Sequence, residues 1–438
     1  MAKSMGGELK RSLGVYSAWS LVVGSVIGSG IFLVATDIAK SVANPWVAIG
    51  VWVVAAVLTL LGALCYAELG TAIPGAGGPY LYLKEAYGPM AGYLYGWTLS
   101  WVIQPGSIAA VAVAFGKYFS RIVPMSEAGV LISASLCIAG LTGINMVGVK
   151  RGAALMDFLS SLKVVALVVL AGIGIFATGI MSPTALQETA VPFEGMSAFG
   201  VALIAAFWAF DGWNNVSFIA GEVKDPQRNL PLSLVGGIVS VALLYVLVTL
   251  GYFRVLSTAE IQSSQFVAAD VVRKLFEAEW AVTAMASIVV LSTLGCVNGM
   301  ILAGARVAYA MAVDKTLPAV FGRVHPKYAV PTVSLIFQGL WSIALVWSGT
   351  YDQLFTYVIS AAFVFYGMTG ASLIILRKKA PKMARPYKVP FYPMLPAAYT
   401  LLSAVFVLNT FVEKPKESMV GLGIVLLGIP AFMFWRKK

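Results

Sequence analysis

Two short runs place glycines and polar groups inside strongly apolar sequence. The first is Gly24-Ser-Val-Ile-Gly-Ser-Gly-Ile-Phe32, the second Phe207-Trp-Ala-Phe-Asp-Gly-Trp-Asn-Asn215. Glycine costs a helix about 1 kcal/mol per position relative to alanine, and Asp-Gly is a turn dipeptide. Both runs therefore predict a helix interrupted midway. An interrupted helix bares amide N–H groups and a positive end, which suit a carboxylate, and carbonyls, which suit an ammonium. A zwitterionic amino acid presents both charges. Two plainer explanations stand beside this one. Gly24-x-x-x-Gly28 also fits close packing of helices through small residues, and the polar groups of the second run can satisfy one another across the break.

Other candidates for chemistry are few. The single histidine, His325, sits in a polar loop, so no histidine-based metal site can be assembled. Cys65, Cys137 and Cys296 each lie within apolar sequence and read as small buried hydrophobes. No paired acids occur at depth, so a nucleophile–base or metal set for catalysis is lacking, and the chain is not expected to be an enzyme or to need a cofactor. Asp211 and Lys163 are the charges that stand out. An acid in mid-membrane costs about 2.5–3.5 kcal/mol on insertion scales and should face a cavity or a partner. Lys163 lies twelve residues beyond Arg151, about 18 Å along a helix, deeper than easy snorkelling allows.

The elements that position these residues are membrane helices. Hydrophobic residues make up 59% of the 438-residue chain and charged residues 11%, with a mean hydropathy of +0.87. That leaves too little polar surface for a soluble particle. The net charge of +11 would suggest nucleic-acid binding in a soluble chain, but the basic residues lie between apolar spans, so no nucleic-acid partner is expected. Twelve spans of roughly membrane-crossing length are expected at 13–36, 45–71, 89–119, 128–146, 152–178, 197–220, 231–253, 279–312, 328–349, 352–376, 391–412 and 417–435. The N-terminus lacks the pattern of a cleavable signal peptide. Of the 30 Lys and Arg, twenty fall in one set of connections and eight in the other; Lys163 and Arg306 fall within spans. The positive-inside rule then places both termini in the cytoplasm. The stretch 254–278 is expected to hold short amphipathic helices over the outer face, and Arg377–Pro390 to be a solvated connector.

The two breaks occupy matching places, at the start of 13–178 (five spans) and of 197–376 (five more). Interrupted segments at corresponding positions of two halves point to a transporter's binding site, and irregular backbone at this depth is tolerated where it lines a cavity. A channel would want a continuous polar lining instead, and a nutrient sensor would bind without flux.

Gly28-Ser-Gly-Ile-Phe32, Phe210-Asp-Gly-Trp-Asn214 and Glu222-Val-Lys-Asp-Pro-Gln-Arg-Asn-Leu-Pro231 resemble the amino acid–polyamine–organocation (APC) superfamily. The last run, with Arg385-Pro-Tyr-Lys-Val-Pro390, resembles its L-type amino acid transporter (LAT) branch, and there the bacterial alanine-serine-cysteine exchangers. The resemblance spans nearly the whole chain. It implies an all-α polytopic membrane protein of twelve transmembrane helices with the LeuT fold. That fold would comprise a cytoplasmic tail (1–12), two inverted five-helix repeats (13–178 and 197–376) with helices 1 and 6 broken, two C-terminal helices (391–435) and a cytoplasmic tail (436–438).

The resemblance also assigns roles. The substrate carboxylate would meet the amides of Ser29 and Gly30, with Ser25 nearby. The ammonium would meet carbonyls of Val26, Ile27, Trp208, Ala209 and Asp211. Trp208 matches an extracellular aromatic gate, and Tyr245 a tyrosine bridging toward span 1. Lys163 would replace the sodium ion that joins spans 1 and 8 in sodium-coupled relatives, bonding the Gly28–Gly30 break. Asn214 and Asn298 would polarise the cavity. Asp211 stands where branch members carry a small residue; it either admits a cationic side chain or caps the break. Larger relatives are disulfide-linked to a heavy subunit through a cysteine between spans 3 and 4. The connection Ser120–Glu127 has none, so no such subunit is expected. The implied activity is sodium-independent antiport of small neutral L-amino acids across the bacterial cell (inner) membrane by alternating access. The other transporter reading is a proton-coupled or cationic amino acid/polyamine antiporter.

Overall fold

The computed structural model describes residues 9–177, 195–348, 351–413 and 415–436. Tail residues 1–8, nearly all of the expected outer segment 179–196, Lys414, Lys437 and Lys438 lie outside the described residues. The α-helices among the described residues are α1 Val15–Val26, α2 Gly30–Ser41, α3 Pro45–Ala72, α4 Pro79–Tyr87, α5 Pro89–Thr98, α6 Gln104–Phe119, α7 Glu127–Met146, α8 Val149–Phe176, α9 Met196–Phe210, α10 Asn215–Phe218, α11 Pro226–Val255, α12 Thr258–Ser263, α13 Val267–Phe276, α14 Glu279–Val313, α15 Thr332–Trp347, α16 Tyr351–Lys379, α17 Met394–Glu413 and α18 Pro415–Arg436.

Nine helical spans among the described residues are long and apolar enough to cross a bilayer, and α1 with α2 makes a tenth, bent by 43° at its break. The expected spans 197–220 and 328–349 hold shorter apolar helices, Ser197–Phe210 and Thr332–Trp347. The protein is thus an all-helical polytopic membrane protein. Helix α14 runs through the middle, with 83% of its apolar window buried, whereas α18 has 22% buried and lies at the rim.

Local sequence explains several boundaries. Asn44 caps α3 by accepting from the amides of Trp46 and Val47, with Pro45 in the first turn. Span 3 is continuous from α5 to α6 through one π-turn, Leu99–Ile103. Pro105, which cannot donate to the preceding turn, sits just beyond it, and the π-turn absorbs that misfit. The expected amphipathic helices are present as α12, opened by a Ser257–Glu260 capping box, and α13.

Below the two breaks the chain ties itself together. The amides of Ser12 and Leu13 donate to the Glu222 carbonyl, and Lys224 N–H donates to the Leu13 carbonyl. The Glu222 carboxylate receives Arg306 Nε at 2.7 Å and Nη2 at 3.3 Å, both side chains fully buried. Arg306 is therefore a buried partner of the segment after α10. The connector Arg377–Pro390 corrects an expectation, because it is anchored rather than merely solvated. Glu68 on α3 takes Arg377 Nε at 2.8 Å and the Val389 amide at 2.6 Å, with Arg385 Nε at 3.5 Å. Arg385 Nη2 also donates to the Leu376 and Ala380 carbonyls, closing the end of α16.

Candidate functional site

The first break separates α1 from α2 at Ile27–Ser29, and the second separates α9 from α10 at Asp211–Asn214. They meet at Gly30. A methyl placed on Gly30 would lie 2.7 Å from the Ala209 Cα and 2.8 Å from its Cβ. Only glycine lets the two backbones come this close. Gly212, at φ +89°, supplies the left-handed turn of the second break, and a methyl there would press on Ser25 at 3.2 Å.

Helix ends leave main-chain groups without intrahelical partners. Ser29 and Gly30 open α2, and within the described residues their amides carry no hydrogen bond. The carbonyls named for an ammonium are already partly occupied. Ile27 O accepts from Lys163 Nζ at 2.7 Å and stands 3.1 Å from Ser292 Oγ, whose single proton it shares with the Gly28 carbonyl. Trp208 O accepts from the Asp211 amide. The Tyr245 hydroxyl stands 3.1 Å from Val26 O and 3.0 Å from Ala209 O. It has one proton for the two, so one carbonyl of that pair keeps spare capacity.

Lys163 is buried on α8 and spends all three ammonium donors on carbonyls, those of Gly24 at 2.9 Å, Ile27 at 2.7 Å and Ser292 at 2.9 Å. It grips Gly24 of α1, Ile27 in the first break and Ser292 in the body of α14, with no bond to Gly28, Ser29 or Gly30. Room for it comes from Gly295, where a methyl would sit 2.8 Å from Nζ. Ser292 Oγ reaches the Gly28 carbonyl as well, at 3.2 Å, and Cys296 Sγ lies 2.9 Å from the Ser25 carbonyl. Cys296 is thus more than a buried hydrophobe.

Asp211 ends α9 and is met by the Tyr366 hydroxyl of α16, which donates to Oδ1 at 3.0 Å. It lines each of three small neighbouring cavities. One is bordered by Ser25, Val26, Gly28, Ser29, Gly30, Trp208 and Cys296, the next by Gln104, Ser107, Asn214 and Asn215. The buried Ser25 Oγ, Ser107 Oγ and Asn215 Nδ2 have no hydrogen-bond partner among the described residues. These cavities measure about 10 to 30 Å3, room for roughly one water each. The chain is closed around the breaks in this conformation. A roomier depression of about 650 Å3 lies elsewhere, beside Tyr118, Glu260 and Phe266. Its Lys274 and Arg273 are paired with Glu260 and Asp270, and it touches neither break.

The structure therefore gathers Ser25, Val26, Ile27, Ser29, Gly30, Trp208, Ala209, Asp211, Asn214, Lys163 and Tyr245 around the meeting point. Asn298 is set apart: it donates to Gly152 O and accepts from Asn145, joining α7, α8 and α14 rather than lining the cavity. Ser292, Cys296 and Tyr366 escaped sequence reasoning. Ser292 and Cys296 recur at a helical spacing of four on the face of α14 turned to the break, and that spacing was the available signal.

A family model described as amino acid permease matches residues 13–434. The b(0,+)-type amino acid transporter 1 of Mus musculus is 32% identical over 439 residues, covering 98% of this chain and 88% of its own. The Homo sapiens large neutral amino acids transporter small subunit 2 is 32% identical, covering 99% and 82%. The Homo sapiens Asc-type amino acid transporter 1 is 31% identical, covering 98% and 84%.

Proposed function

The chain belongs to the amino acid permease family, in the LAT branch of the APC superfamily, a group of membrane amino acid transporters and not of enzymes, and from that premise we propose that it exchanges small neutral L-amino acids without sodium. The observation that carries this reading is the contact of Gly30 with Ala209, which sets the unpaired amides of Ser29 and Gly30 opposite the carbonyl end of α9. The substrate carboxylate binds those amides at the start of α2. Its ammonium binds the carbonyl of Val26 or Ala209 that Tyr245 leaves open, with Asp211 adding negative charge. The side chain enters the space toward Ser107, Asn214 and Asn215, where little room favours small groups.

The Lys163 ammonium bridges α1, α8 and α14 with three donors and leaves no position there for a sodium ion. Trp208 borders the cavity and serves as its outer lid. The closed cavity suits a site that opens to one side at a time, which is alternating access. On this reading 13–178 and 197–376 are the two inverted repeats of a twelve-span LeuT fold, and both termini face the cytoplasm of a cell membrane. Absence of a cysteine from 120–127 argues against a disulfide-linked heavy subunit.

A second reading, transport of cationic amino acids, is favoured by one observation: the buried Asp211 carboxylate at the cavity, which has no ion-pair partner among the described residues and whose Oδ1 accepts from the neutral hydroxyl of Tyr366. Labelled alanine uptake into proteoliposomes of the purified protein separates the possibilities, with internal amino acid, sodium, pH and competitor varied in one matrix. The proposal expects uptake that requires internal amino acid and ignores sodium and the pH gradient. Uptake driven by sodium or by a proton gradient contradicts it. Competition by arginine that disappears in Asp211→Asn establishes the second reading.

A further inference from the structure

We propose that the last turn of α16 and the connector from it to α17 together form a binding surface for the headgroup of an anionic phospholipid. Six of the twelve residues from Arg377 to Lys388 are basic, and no acidic residue occurs between Asp352 and Glu413. Loop arginines and lysines normally need no more explanation than topology. Here the structure sorts them. Arg377 and Arg385 turn inward to Glu68, and Arg377 also stacks over the Tyr392 ring at 3.9 Å. The Val389 amide is pinned to the same carboxylate. The connector is therefore held in one shape, and Lys378, Lys379, Lys382 and Lys388 are left exposed on its outside. None of the four makes an ion pair among the described residues; Lys379 reaches only the Glu85 carbonyl, at 3.3 Å.

Beside this charge lies apolar surface. Phe391 is 80% exposed and Met394, the first residue of α17, 75% exposed. A fixed cationic patch flanked by an exposed aromatic and a thioether at the mouth of a membrane helix matches a phosphodiester headgroup with its acyl chains below. Phe391 and Met394 would rest against the acyl boundary while the lysines neutralise the phosphate. A free phosphate would use the lysines but not the apolar pair. Each lysine near an anionic membrane surface contributes roughly 1 kcal/mol, which is about fivefold in affinity apiece.

Native mass spectrometry of the delipidated full chain, given equimolar phosphatidylglycerol and phosphatidylcholine, tests this. Phosphatidylglycerol adducts should exceed phosphatidylcholine adducts about tenfold or more. The combined Lys378→Gln, Lys379→Gln, Lys382→Gln and Lys388→Gln variant should bring the two to parity, while the matching Lys→Arg variant keeps the preference. Should the Gln variant be unstable, the same preference in the native chain must collapse in 1 M salt yet withstand millimolar inorganic phosphate. No preference in the native chain, a preference kept by the Gln variant or in high salt, or displacement of the lipid by phosphate alone overturns the proposal. None of these readouts depends on amino acid transport.

Discussion

Lys163 shows how one side chain can organise three helices. A buried ammonium is tolerable only when all its protons are met, and three carbonyls from α1 and α14 meet them. Depth along the helix made the residue conspicuous in the sequence, because twelve residues past Arg151 lies beyond snorkelling range. Its acceptors were not legible there, since a main-chain carbonyl has no sequence signature and Ser292 looks like any serine in an apolar span. Hydrogen bonds to a charged group contribute about 1.5–3 kcal/mol each. Lys163→Ala should therefore reduce alanine uptake at least tenfold, with protein in the membrane unchanged within twofold on blots of membrane fractions. Tyr245→Phe removes a single neutral bond of about 1 kcal/mol and should slow maximal uptake severalfold. The reverse ranking of the two variants would make the Tyr245 link between α1 and α9, rather than the Lys163 bridge, the contact on which uptake depends more.

The interrupted helices were the most legible elements, because glycine clusters and Asp-Gly each break a helix for a local reason. That the two breaks would face one another was expected from their matching places and from the resemblance, but the contact that joins them was not legible. It depends on how α2 crosses α9, a tertiary fact that no run of residues encodes, and it became visible only when Ala209 was found against Gly30. The π-turn at Leu99–Ile103 was equally hidden, since Pro105 signals a disturbance without saying how the helix absorbs it. Gly30→Ala isolates the contact. The added methyl meets backbone at 2.7 Å, so uptake should fall by at least two orders of magnitude. Gly50→Ala, where a methyl would meet nothing within 4 Å, should leave uptake unchanged. Equal uptake in both variants would separate the crossing from transport. Trp208→Ala should impair uptake more than surface display, and unaltered affinity and turnover would remove its role as a lid.

Across the whole molecule, buried charges join segments far apart in the chain. Glu222 with Arg306 ties the segment after α10 to α14, and the N-terminal stretch at Ser12 and Leu13 is strapped to the same segment. Breaking such a pair on one side costs about 3–5 kcal/mol, because the survivor stays buried and unpaired. Arg306→Met should lower the apparent melting temperature in detergent by several degrees, and Glu222→Leu added to it should restore part of the loss. Full stability in Arg306→Met would show that the pair contributes nothing. The central claim is that main chain at two helix breaks holds both ends of a zwitterion, and competition against labelled alanine uptake tests it most directly. Serine and cysteine, which keep both charged ends, should compete. Alanine methyl ester lacks the carboxylate and N-acetylalanine lacks the ammonium. Each should bind at least about tenfold more weakly, the loss of one charge-assisted contact of about 1.5–3 kcal/mol. Either blocked analogue competing as well as alanine itself would contradict the account.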